Sequence, residues 1–147
     1  MSHWKNIAID MECSIEVLRR ILINIMPKWE EHIKVDESGN LVAKSYYQPN
    51  QPVKGCSVVI PQGQHTGVSG ADIGFFKERG KWKMSYDYKP YEAADLENRI
   101  KQEYAVIRTR AQAQAKGFEI AEDISEGNDY VIKMLVPLDY GEGQLEA

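Results

Sequence analysis

A chain of 147 residues, 43% hydrophobic and 27% charged, is about one globular domain's worth and long enough to bury a core without disulfide or metal staples. No apolar run approaches the ~18 residues of a membrane span, and Met1–Lys5 lacks the apolar stretch of a signal peptide, so no membrane association and a cytoplasmic location are expected. The net charge of −4 argues against extended duplex binding, and two cysteines are too few for a disulfide framework.

The elements follow in chain order. Residues 6–11 alternate as a strand, with Trp4, Ile7, Ile9 and Met11 assigned to the buried side. Ser14 is placed to cap a helix over 15–26, whose Val17, Leu18, Ile21, Leu22, Ile25 and Met26 recur at helical spacing until Pro27 ends it. Residues 32–36 and 41–47 read as a hairpin turning at Glu37-Ser38-Gly39-Asn40. A loop over 48–55, a strand Cys56–Ile60 and a second loop over 61–70 come next.

Residues 71–77 and 82–88 make the clearest hairpin. Trp82, Met84, Tyr86 and Tyr88 share one face, while Lys83, Ser85, Asp87 and Lys89 share the other and are assigned to water. A long helix over 92–116 carries the stripe Leu96, Ile100, Tyr104, Ile107 and Ala111 and stops at Gly117. Residues 118–124 and 130–136 form a last hairpin around Ser125–Asp129.

Helices separated by runs of hairpins imply an α+β fold: an antiparallel sheet with two amphipathic helices on one face, a two-layer sandwich of ferredoxin-like or TATA-box-binding-protein-like kind. Residues 1–138 are expected to form a single domain, and 139–147 an acidic, flexible tail. Charge is uneven, with seven Lys/Arg against three acids over 44–89 and one Lys against eight acids over 119–147. Such asymmetry is more often a solvated edge than an anion-facing surface.

Several short motifs occur in a telling order: Met1-Ser2-His3-Trp4, Ala71-Asp72-Ile73-Gly74-Phe75, Trp82-Lys83-Met84-Ser85-Tyr86-Asp87, Gln102-Glu103-Tyr104-Ala105 and Ala115-Lys116-Gly117-Phe118. In these the chain resembles the hypothetical chloroplast reading frame 35 family, a domain of unknown function. The resemblance implies a fold and no catalytic residues.

Candidate chemistry centres on residues 61–72. The glycine-rich loop can offer backbone N–H groups to a phosphate, with His65, Thr66 and Ser69 beside it, but it is no P-loop because the Gly-Lys-Ser/Thr ending is absent. Asp72 stands where the loop meets the next strand. Lys77 and Lys83 lie among aromatic residues, a combination that suits nucleotides or single strands, although the aromatics more readily serve the core. The candidate ligand-binding residues are therefore His65, Thr66, Ser69, Asp72, Lys77 and Lys83.

No catalytic constellation, no zinc-ligand spacing and no cofactor motif is present, so no metal and no cofactor is expected. The favoured function is an accessory or binding domain that engages a protein partner or a small anionic ligand. The alternatives are a small hydrolase or nucleotide-processing enzyme using His65 with Asp72, a single-stranded nucleic-acid binder, and a homo-oligomer pairing through a sheet edge and the Trp29 region.

Overall fold

The structure is a computed structural model that describes residues 4–9, 11–63, 65–68, 70–87, 93–117, 119–126 and 129–135. Its contacts divide the chain into two compact units, Met1–Lys101 and Gln102–Ala147.

The first unit is built on a five-stranded antiparallel sheet, which with the helices and smaller sheets makes the chain α+β. Its strands are β1 (Trp4–Ala8), β2 (Lys34–Val35), β5 (Val58–Ile60), β6 (Ile73–Glu78) and β7 (Lys81–Asp87), in the order β1-β7-β6-β5-β2. The expected β6–β7 hairpin forms, with Phe75 opposite Met84. Register and alternation put Ile7, Val58, Ile60, Ile73, Phe75, Trp82, Met84 and Tyr86 on one face.

Helix α1 (Ile15–Ile25) covers that face with its buried stripe Leu18, Ile21, Leu22 and Ile25. Ser14 caps it as expected, its Oγ accepting the Val17 N–H at 3.3 Å. The Trp82 indole, on the same face, donates to the Cys13 carbonyl at 2.9 Å and so ties the start of the helix to the sheet. Pro27 ends α1, but the chain then turns at once into a 3-10 helix, Pro27–Glu31, because proline's fixed φ suits a helical first turn.

The segment 32–60 departs from the expected pairing. The turn at 36–40 is real: the Asp36 carboxylate accepts the N–H groups of Ser38 and Asn40, and Gly39 has φ +71°. Yet the strands on either side do not pair with each other. β2 pairs with β5, whereas β3 (Leu41–Ala43) pairs with β4 (Val53–Cys56) in a separate two-stranded sheet. The single strand expected at Cys56–Ile60 is thus two short strands serving two sheets. They divide at Ser57, whose N–H donates to the Phe75 carbonyl at 2.8 Å.

The small β3–β4 sheet lies over the second face of the main sheet, where Ala43, Cys56 and Val59 form a buried cluster with Leu41, Val53 and Trp4 packed on it. Gly74 is where the layers approach most closely, since a Cβ there would stand 2.7 Å from Cys56 Sγ. Two expectations change in consequence. Trp4 pairs with Asp87 and Ile7 with Met84, so Trp4 faces the side opposite Ile7. Ser85 and Asp87, assigned to water from their polarity, are 0% and 2% exposed.

A buried carboxylate must be hydrogen-bonded. Asp87 accepts from the Ser45 hydroxyl and from the Gln48 amide at 3.0 Å, which fastens the 44–51 loop to β7.

Helix α2 (Ala93–Ala115) begins in the first unit, where Leu96 and Ile100 are buried. In the second unit Val106 and Ala113 are buried while Ala111 is exposed, so the apolar stripe drifts from the expected line. Gly117, with φ +83°, closes the helix. β8 (Glu119–Glu126) and β9 (Asp129–Leu135) form the last hairpin, its ladder reaching Glu126 opposite Asp129, so both strands run beyond their expected inner ends. The predicted tail falls outside the described residues.

Candidate ligand cavity

The 61–70 loop is folded by its own hydrogen bonds. The Gly63 N–H donates to the Val68 carbonyl at 2.8 Å, and the Gly67 N–H returns to the Gly63 carbonyl at 3.1 Å. Gly67 needs φ +75°, which glycine adopts without strain. Thr66 is buried, its hydroxyl donating to the Pro61 carbonyl. The indole N–H of buried Trp29 donates in turn to the Thr66 carbonyl, so the 3-10 helix holds the loop in place.

Beneath this loop is a cavity of about 100 Å³. Ile25, Ile73 and Leu96 supply apolar walls from α1, β6 and α2, while Trp29, Thr66 and Val68 close it from the loop side. Two charged side chains of α2, Asp95 and Arg99, stand on its boundary. Arg99 is half-buried and donates one N–H to the Ile25 carbonyl at 3.2 Å, satisfying an acceptor that the end of α1 leaves open. A guanidinium carries five donors, and this is the one bond that Arg99 makes among the described residues. The Lys28 ammonium lies beside Gly67, 3.1 Å from where a Cβ would be. Two cations, Arg99 and Lys28, and one carboxylate, Asp95, therefore flank a largely apolar hollow.

The residues singled out from sequence are dispersed. Thr66 lines the cavity. His65 is exposed and stacks on His32, ring centroids 5.5 Å apart and planes 15° from parallel. Ser69 lies outside the described residues. Asp72 is a clamp: its carboxylate accepts the N–H groups of Gln62 at 2.8 Å and Lys44 at 2.9 Å. His65 and Asp72 make no hydrogen bond with each other.

Lys77 and Lys83 project from opposite faces of the sheet. Lys77 sits 5.1 Å from the Trp82 ring centroid, and Lys83 pairs with Glu78 at 2.8 Å. The Lys83 hydrogen bond holds the Glu78 carboxyl below its ordinary range. Trp82 and Tyr86 are buried and offer no stacking platform. Trp29, at 5% exposure, is likewise a core residue and no surface for pairing copies.

Sequence reasoning missed Arg99 and Asp95, because acid and base four apart on a helix read as a solvated ion pair. It also missed the burial of Trp29. The one available signal was its place two residues after a helix-ending proline. Among the described residues no cluster of three or more His, Cys, Asp or Glu could hold a metal ion, and no helix is long and apolar enough to cross a membrane.

The sequence pattern of a family described as protein of unknown function (DUF1257) matches residues 29–134. That span includes Trp29, the 61–70 loop, Ile73, Asp95 and Arg99. No curated protein matches the chain, and no solved structure matches it.

Proposed function

The chain belongs to the DUF1257 family of proteins of unknown function, and we propose that it is a binding domain whose cavity takes a small ligand with a compact apolar body and an anionic head. The observation that carries this reading is an apolar hollow lined in part by a half-buried guanidinium that makes one hydrogen bond among the described residues. Ligand sites combine apolar walls with a few placed polar groups in this way.

The size sets the affinity. Burying four carbons contributes roughly 3 kcal/mol at about 0.8 kcal/mol each. A charge-assisted hydrogen bond adds about 1.5–3 kcal/mol. Against this stands an association cost of about 4 kcal/mol or more, so the dissociation constant is millimolar or weaker. The test is titration of the full chain with short branched carboxylates and small phosphate esters, followed by amide NMR. Arg99→Gln should weaken binding about tenfold, and Val68→Trp should fill the hollow and abolish it. If parent and Val68→Trp respond alike, the reading fails.

A protein partner is the second reading. It is supported by Tyr46 and Tyr47, 78% and 50% exposed on a loop that Asp87 fastens to the sheet. Rigidly held tyrosines suit contact surfaces. Affinity capture with parent but not with Tyr46→Ser would support it, and equal capture would count against it. Within the family, the order of the short motifs supports the narrower assignment to hypothetical chloroplast reading frame 35.

A further inference from the structure

Resting on the cavity reading above, we infer that the occupant is a zwitterion: an α-amino acid with a branched aliphatic side chain. Arg99 holds its carboxylate and Asp95 its ammonium group.

Both side chains border the cavity. They stand four positions apart on α2, a spacing at which acid and base ordinarily pair. The same helix forms such a pair nearby, Lys101 with Glu97 at 2.9 Å. Asp95 and Arg99 do not pair. Arg99 turns to the Ile25 carbonyl, and Asp95 has no hydrogen bond or ion pair among the described residues. Opposite charges thus stand at one cavity without neutralising each other. A simple anion would meet Arg99 and be repelled by Asp95, and a simple cation would meet the reverse. A ligand with both charges on neighbouring atoms satisfies each.

In an α-amino acid the side chain leaves from the carbon that bears both charged groups. It can enter the apolar hollow while they remain at the boundary. The hollow limits its size. An engineered apolar cavity of about 150 Å³ takes benzene, so about 100 Å³ here leaves room for a branched four-carbon group. That admits the side chain of leucine or isoleucine and excludes an aromatic one.

The test titrates the full chain with L-leucine, with 4-methylpentanoate (the same skeleton without the ammonium group) and with L-phenylalanine. Because Asp95 is exposed, the parent should prefer leucine over 4-methylpentanoate by about 1.5- to 5-fold. Asp95→Asn should erase that preference and leave 4-methylpentanoate bound as well or better. Asp95→Ser, a second neutral replacement, should behave the same. Phenylalanine should not bind. Equal binding of leucine and 4-methylpentanoate, or a preference that survives both variants, overturns the zwitterion and leaves the cavity reading standing. Failure of both probes in the parent overturns the two together.

Discussion

Gly74→Ala is the most informative change in the fold. Gly74 lies in β6 with ordinary strand backbone, so alanine meets no φ penalty. The penalty is space. The new Cβ would stand 2.7 Å from Cys56 Sγ and 3.0 Å from Ala43 Cβ, where relaxed carbon contacts fall near 3.5–4.0 Å. Both neighbours are fully buried, and an alanine Cβ has no rotamer by which to retreat. The β3–β4 sheet must therefore lift from the main sheet.

Overpacking of this kind costs about 1–3 kcal/mol. Restricting the unfolded chain returns about 0.4–1 kcal/mol. The net destabilisation is roughly 1–2 kcal/mol, a fall in Tm of about 4–8 °C for each kcal/mol in a unit of this size. Urea unfolding and calorimetry read it directly. Adding Cys56→Ala removes the closer contact and should make the double variant's cost smaller than the sum of the two singles. A Gly74→Ala chain as stable as the parent would refute the placing of β3–β4 over Gly74.

Other perturbations probe the loops and thiols. Asp87→Ala strips the Ser45 hydroxyl and the Gln48 amide of their buried acceptor; it should cost about 1–3 kcal/mol in urea unfolding, and a loss under ~0.5 kcal/mol would show the cluster to be inert. Trp29→Phe leaves the Thr66 carbonyl without its donor. Exchange of the Gly63 and Gly67 amides should then quicken, and unchanged protection would disconnect the 3-10 helix from the loop. Burial pushes the thiols of Cys13 and Cys56 above their ordinary range, so the folded chain keeps protons that the unfolded chain releases. Stability should be level below the ordinary thiol range and decline as pH rises through and beyond it. Iodoacetamide at neutral pH should label the native chain far more slowly than the unfolded one, and equal rates would contradict this.

What the sequence made legible was local. Period two from Trp82 to Asp87 specified a strand, and Ser14 and Pro27 bracketed a helix. Alternation does not say which faces are dry, however. Ser85 and Asp87 read as wet because they are polar, and they are buried because a second small sheet covers them. Gly74 between the apolar residues Ile73 and Phe75 was the one local hint of that close approach. The turn at 36–40 was equally clear, but turn chemistry fixes the turn and not the partners of the strands beyond it. The cavity was the least legible feature. Ile25, Trp29, Thr66, Ile73 and Arg99 come from five elements spread over the first unit, and no local spacing records their meeting. Of the described loop residues chosen from sequence, Thr66 alone lines it, through backbone geometry that glycines 63 and 67 set.

The central claim is that the hollow under the 63–68 loop receives a ligand. Methyl NMR of the chain labelled at Ile, Leu and Val, titrated with L-leucine and 4-methylpentanoate, tests it most directly. The account predicts saturable shifts at Ile25, Val68, Ile73 and Leu96 for at least one probe, with those at Ile25, Ile73 and Leu96 lost in Val68→Trp. Unmoved methyls at those four positions, or shifts confined to others, would contradict it.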